Sequence, residues 1–304
     1  MKEPGKTAFI HRFSARAVIP YLFVAPFMLM FLVFGLVPLV MSIVISFTKW
    51  DYASPMEWYG LGNYKLIFGL IGSGKVASDF WNGVLHTLLF VAVETPLLIV
   101  IPMIVALLIS KCKAVRKLSM GFFYFPSILS ITTVCILWNF LLDTNAGVIN
   151  HYLGIEIPWI TQMPYAWISI FVLSAWWGIG GNMILYIAGI ANVPPEILEA
   201  AELDGAGAFR KFFSVTLPCM RRTLFYTLIM TTIGSFNMLG QAQVLTAGGP
   251  NFGTTTAMMV IYNTAFGGTN NFGRACAMAI VFGVLMSLFT VLSFKLQVSD
   301  EEEM

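Results

Sequence analysis

The sequence predicts an all-α membrane protein built from six transmembrane helices, and three observations predict it. Of its 304 residues, 58% are hydrophobic and only 11% are charged, against about 25% charged in a soluble domain. Apolar stretches of the roughly 20 residues that a helix needs to cross hydrocarbon recur from Tyr21 to Phe294. Lys and Arg concentrate in alternate connections, the pattern left by retention of basic residues on the cytoplasmic side.

The first span is expected at 20–46, behind Lys2, Lys6, Arg12 and Arg16 in a cytoplasmic segment 1–19. Its apolar run, Val18 to Phe47, is longer than the roughly 7–15-residue core of a cleaved signal, so it reads as a retained helix. Spans at 84–110 and 119–142 follow, separated by Lys111, Lys113, Arg116 and Lys117. Spans at 165–192 and 223–246 flank a loop, 193–222, that carries Arg210, Lys211, Arg221 and Arg222. A last span at 274–294 leads through Lys295 into an acidic tail, 295–304. With both ends inside, thirteen of the seventeen basic residues are cytoplasmic, and only Lys49, Lys65, Lys75 and Arg274 lie outside. The outer loop 48–82 is rich in glycine and holds Trp50, Trp58 and Tyr59, the aromatic types favoured at a membrane interface.

A net charge of +2 without a basic run gives nucleic acid no electrostatic footprint. Cys112, Cys135, Cys219 and Cys276 have no C-x-x-C spacing and read as reduced, structural thiols. His11, His86 and His151 are scattered, so no metal site is expected. Gly69 to Lys75, GLIGSGK, imitates a phosphate-binding loop, but Val76 stands where a Ser or Thr must hold magnesium and no strand precedes it. No G-x-S-x-G elbow is present, and no cofactor or catalytic residue is expected in this chain.

The loop 193–222 carries the most information. Pro194 and Pro195 suit a helix start, Glu196 complements the dipole in its first turn, and Glu199 and Glu202 share a face. Ala200, Ala201, Gly205, Ala206, Gly207 and Ala208 form a small-residue run in which Gly205 or Gly207 can end the helix. A second short helix then shows Phe209, Phe212 and Phe213 on an apolar side before Pro218.

Glu199, Ala200, Ala201, Gly205, Val215, Leu217 and Pro218 keep the order and spacing of the E-A-A loop, and the stretch resembles that of ABC importer permeases. The segments FYFPSILS, NAGVINHYLG and TAGGP are similar to those of the maltose and glycerol-phosphate type. The resemblance implies a type I ABC importer permease architecture in the bacterial or archaeal cytoplasmic membrane. In it the loop is a cytoplasmic coupling helix that docks on an ATPase subunit, with Glu199, Ala200, Ala201, Asp204, Gly205, Arg210, Leu217 and Pro218 at the coupling surface. The expected partners are a second homologous permease, two ATP-binding cassette subunits that bind the ATP and magnesium, and an extracytoplasmic solute-binding protein. The expected cargo is a sugar or oligosaccharide.

Polar side chains and glycines at membrane depth belong where they face protein or a water-filled cavity. They cluster at Ser174, Trp176, Trp177, Gly178, Gly180, Gly181 and Asn182, and at Ser235, Phe236, Asn237 and Gln241. Aromatic faces with amides and hydroxyls suit a neutral polyol better than an ion. By resemblance, the intramembrane solute site falls on Ser127, Ser174, Trp177, Gly178, Phe236 and Asn237. Packing between helices is the competing role for each of these. Glu94, next to Pro96, would cost about 2.5–3.5 kcal/mol ionised at the bilayer centre. It is expected to be neutral and hydrogen-bonded inside the bundle; an ion-coupled secondary transporter working through Glu94 is the alternative function.

Overall fold

The computed structural model describes residues 15–111, 116–268 and 270–302, with side chains described from Tyr21 onward except at 293 and 296–302. Lys2, Lys6, His11, Arg12, Cys112 and Lys113 lie outside the described residues. The molecule is almost wholly helical. Helix α1 (Ala15–Phe31) runs through a widened π turn, Leu32–Leu36, into α2 (Val37–Ser46). Pro38 follows that turn, and Pro218 likewise follows a second π turn at Phe212–Thr216. A proline removes a main-chain donor and crowds the carbonyl four residues back, and a π turn makes room for it within a continuous helix.

Asn63 fastens the end of α2, its buried side-chain amide donating to the carbonyls of Ser46 and Thr48 at 2.9 and 2.8 Å. A two-residue hairpin ladder, β1 (Thr48–Lys49) with β2 (Glu57–Trp58), and α3 (Gly62–Ile67) complete this corner. The long α4 (Lys75–Lys111) contributes to all three apolar clusters of the core. With α3, α13 (Ala257–Phe266) and α14 (Phe272–Glu302), it packs Phe80 and Val84 with Ile67, Ala257 and Phe282. Beyond α6 (Ile131–Leu141) and the short α7 (Val148–Leu153) comes α8 (Tyr165–Ala191), and α4, α6 and α8 pack Phe90, Val134, Ile170 and Leu173. Near its last turns α4 packs Met103, Ala106 and Ile109 against Met183, Tyr186 and Ile187 of α8.

The helices 21–46, 75–111, 165–191 and 272–292 are long and apolar enough to cross a membrane. The expected third span is instead bent: α5 (Arg116–Ile128) meets α6 at 96°, so the pair supplies up to one more crossing. The expected fifth span is also interrupted. Helix α12 (Arg221–Phe236) has 16 residues, about 24 Å at 1.5 Å per residue, and the chain opens before a π turn at Gln241–Leu245. Among the described residues, four to five spans by length and composition therefore stand where six were expected. The connection between the expected fifth and sixth spans holds the apolar α13, whose Thr256 caps it by accepting the Met259 N–H. Cys135, Cys219 and Cys276 are free thiols, as their spacing suggested.

Candidate functional site

The loop between α8 and α12 folds as a helix-turn-helix. Pro194 is extended and Pro195 opens α9 (Pro195–Leu203), where a missing N–H costs nothing. The helix ends in a Schellman motif. Gly205 takes φ +74°, its N–H donates to the Glu202 carbonyl at 3.0 Å, and the Ala206 N–H reaches back to the Ala201 carbonyl at 2.9 Å. Only glycine enters this conformation at no steric cost. From Gly207 the chain re-enters helix through α10 (Ala208–Lys211), the π turn and α11 (Leu217–Cys219).

The loop has an anchored side and a bare side. Leu198, Phe212 and Val215 pack against the buried cluster of Met103, Tyr186, Val193 and Met220. Leu203 and Phe209 project outward, 90% and 80% exposed, with Phe213 beside Phe209 at 5.1 Å between ring centroids. The three phenylalanines are thus split, because the π turn alters their angular spacing. Glu202 forms an ion pair with Lys211, while Arg210 is exposed. Glu199, Ala200, Asp204, Gly205 and Pro218 are exposed on this feature, and Ala201 and Leu217 are half-buried.

The helices that flank the loop form two walls of a cavity of about 460 Å³. From α8 come Ser174, Trp177, Gly178, Gly181 and Asn182; from α12 come Met230, Thr231, Gly234 and Ser235. The chain beyond α12 adds Asn237 and Gln241, and α4 adds Phe90, Glu94 and Leu98. Asn237 and Gln241 share the cavity although no continuous helix joins them.

Several of these groups are already engaged. Pro102 deprives the Leu98 carbonyl of its helical donor, and Asn182 supplies the replacement, Nδ2 to Leu98 O at 2.7 Å and to Thr231 Oγ1 at 2.9 Å. The same amide therefore ties α8 to both α4 and α12. At the bend between α5 and α6, the Trp177 indole N–H donates to the Leu129 carbonyl at 3.0 Å. Ser127 Oγ returns a bond to the Trp177 carbonyl at 2.6 Å. Gly180 lets these helices touch: a Cβ there would lie 2.7 Å from both Ser127 Oγ and the Tyr124 Cα.

Of the six residues expected at the solute site, Ser174, Trp177, Gly178 and Asn237 line the cavity. Ser127 lies at the α5–α8 contact instead, and Phe236 turns the other way, buried against Phe282 and Phe289. Their neighbours Gly234, Ser235 and Thr231, on the turns of α12 before Asn237, lie on the cavity side. The bundle expected around Glu94 supplies no hydrogen bond: neither carboxyl oxygen has a partner among the described residues. His86 bonds the Thr255 carbonyl at 2.9 Å rather than any acid.

Long apolar helices surround a cavity whose wall mixes apolar with polar side chains, and an elbow with an exposed side joins two of them, an arrangement suited to a membrane transport subunit. The chain belongs to the family described as binding-protein-dependent transport system inner membrane component, which it matches over residues 65–298. It is 33% identical over 285 residues, 90% of this chain and 89% of the relative, to "Probable ABC transporter permease protein YesP" of Bacillus subtilis. It is 26% identical to "Probable starch degradation products transport system permease protein AmyD" of Thermoanaerobacterium thermosulfurigenes, covering 96% and 98% of the two chains. The fold is shared with a bacterial ABC transporter involved in the import of the acidic polysaccharide alginate. That likeness has a TM-score of 0.72 at 22% identity, over 92% of this chain and 95% of the other.

Proposed function

We propose that this chain is the membrane-spanning subunit of an ATP-driven importer for a sugar or oligosaccharide handed over by an extracytoplasmic solute-binding protein. The sugar assignment is supported by the name of the starch-product relative, and by a cavity that mixes an indole, amides and hydroxyls without a basic side chain among its described lining residues. A second permease completes the pathway. Two ATPase subunits bind the nucleotide and magnesium, and hydrolysis belongs to them. In this reading α12 with its π turn is the remaining span, both termini are cytoplasmic, and the elbow around Gly205 faces the cytosol.

One observation carries the mechanism: the elbow is covalently continuous with α8 and α12, and both line the cavity. Leu203 and Phe209 give an ATPase surface something apolar to grip, while Leu198, Phe212 and Val215 hold the elbow on the bundle. Closure of the ATPases pulls the elbow, tilts α8 against α12, and opens the cavity to alternate sides. Trp177 and Asn182 transmit that tilt to α5, α6 and α4 through the bonds described above.

The test is reconstitution of the assembled transporter with Leu203→Asp/Phe209→Asp in this chain. Loss of ATPase association with intact folding of the membrane part is expected; association at the unaltered level refutes the docking role. Uptake by this chain alone, without ATP, would favour the ion-coupled alternative.

A further inference from the structure

A second hollow lies apart from the solute cavity. Phe122, Phe123, Phe125 and Pro126 of α5 and Trp176 and Ile179 of α8 enclose a groove of about 320 Å³, lined by apolar and aromatic side chains alone. A turn of 3.6 residues puts Trp176 and Ile179 about 160° around α8 from the mean direction of Ser174, Trp177, Gly178, Gly181 and Asn182, so the groove faces away from the solute path. A partner that completes that path therefore sits on the other side of α8. The rim is also unlike a helix–helix contact. Helices in a membrane approach through small residues, as α5 and α8 do at Gly180, where a Cβ would meet Ser127 Oγ and Tyr124 Cα. The groove beside that contact is instead edged by Phe122 and Phe125, 74% and 61% exposed, and by Trp176. Bulky rings keep a second backbone at a distance, whereas a flexible hydrocarbon chain can fill the slot between them.

The same helix begins with basic groups. Arg116, half-buried, and Lys117, exposed, open α5, Lys111 closes α4, and none of the three forms an ion pair among the described residues. At 1.5 Å per residue, Phe122 and Phe125 lie about 9 and 14 Å along α5 from Arg116. The headgroup zone of a bilayer is roughly 5–8 Å thick on each side, so a phosphate at Arg116 would bring its acyl chains to the depth of the two rings. From this we infer that the groove between α5 and α8 is a binding site for one anionic phospholipid, with its phosphate on Arg116 and Lys117 and an acyl chain between Phe122, Phe125 and Trp176. The inference is independent of what the cavity carries. In the orientation proposed above, the leaflet concerned is the cytoplasmic one. Each basic residue at a membrane surface favours an anionic headgroup by about fivefold, which separates this lipid from its zwitterionic neighbours. Trp176 in turn rests on Trp138 of α6, 5.9 Å between ring centroids, which puts the lipid against the side chains that hold α6 and α8 together.

The experiment uses the complete transporter, with its partner permease and ATPases, in phosphatidylcholine nanodiscs that contain a graded fraction of either phosphatidylglycerol or phosphatidylcholine with dibrominated acyl chains. Bromine quenches the fluorescence of an indole that it touches, and the Trp176 signal is the difference between wild type and Trp176→Phe. Brominated phosphatidylglycerol is expected to half-quench that signal at a mole fraction roughly tenfold or more below that of brominated phosphatidylcholine, as two basic residues at about fivefold each allow. Arg116→Gln is expected to raise the phosphatidylglycerol fraction about fivefold, the factor for one basic residue. Arg116→Gln/Lys117→Gln erases the preference, while Lys65→Gln, in α3, leaves it in place. Equal quenching by the two lipids means ordinary contact with bulk lipid and overturns the inference, as does a preference that survives the double variant. Quenching by neither means that protein, for instance a helix of the partner permease, covers the groove, and this overturns the inference equally. The headgroup comparison leaves Arg116 and Lys117 unaltered, so it decides the matter even where those variants fail to assemble.

Discussion

Replacing Gly205 separates backbone conformation from bulk at the elbow. At φ +74° an L-residue with a Cβ costs about 1–2 kcal/mol, and a Cβ built there meets nothing within 4 Å. The whole effect of Gly205→Ala is therefore conformational, set against the two main-chain bonds that close the turn at 3.0 and 2.9 Å. If the ATPase binds only the closed turn, affinity falls by up to the same free energy, about 5- to 30-fold. Asparagine is larger than alanine yet tolerates the left-handed region far better, so Gly205→Asn is expected to lose under about threefold. The assay is titration of the purified ATPase subunit onto the permease in nanodiscs. Alanine worse than asparagine supports the turn as the coupling element. Asparagine worse than alanine points to bulk at the docking surface, and two variants that bind like wild type refute a role for the closed turn.

Other consequences follow from the packing around the cavity. Gly180→Ala places a methyl 2.7 Å from Ser127 Oγ and Tyr124 Cα and should destabilise the bundle by about 1–3 kcal/mol, whereas Gly181→Ala, with open space, should leave the melting temperature unchanged. Asn182→Leu strands the Leu98 carbonyl and the Thr231 hydroxyl, and a loss of about 1–2 kcal/mol is expected in a chemical or thermal unfolding series. Trp177→Phe keeps the ring over the cavity but removes the donor to Leu129. It should cost about 1 kcal/mol and raise hydrogen exchange at the α5–α6 bend without abolishing solute binding.

The helices α4, α8 and α14 were legible from the sequence because each is a long apolar run that crosses hydrocarbon without help from its neighbours. The elbow was legible for a different reason: proline, alanine and glycine dictate its turns locally, and Gly205 closes the one that needs a positive φ. The bend at Leu129–Ser130 was not, since an apolar run on both sides reads as one span and the Trp177 donor that stabilises the break comes from 48 residues away. The interruption after Phe236 was hidden likewise, with Thr256 of a distant segment accepted by the Met238 carbonyl in the opened chain. Helix α13 carried a signal that could have been found, a threonine cap ahead of AMMVIYNTAF. The polar and small residues clustered along α8 include Ser174, Trp177 and Gly178, which line the cavity. Phe236 misled because the face of α12 that turns to the cavity depends on packing against α14, which periodicity alone does not reveal.

Sidedness of the elbow probes the lever mechanism at its root. Asp204→Cys, in a background with Cys112, Cys135, Cys219 and Cys276 replaced, is labelled with a membrane-impermeant maleimide in oriented vesicles. The mechanism predicts labelling in inside-out vesicles and protection when the ATPase subunits are bound. Labelling confined to right-side-out vesicles would contradict it, because the elbow would then face away from the subunits that are meant to pull it.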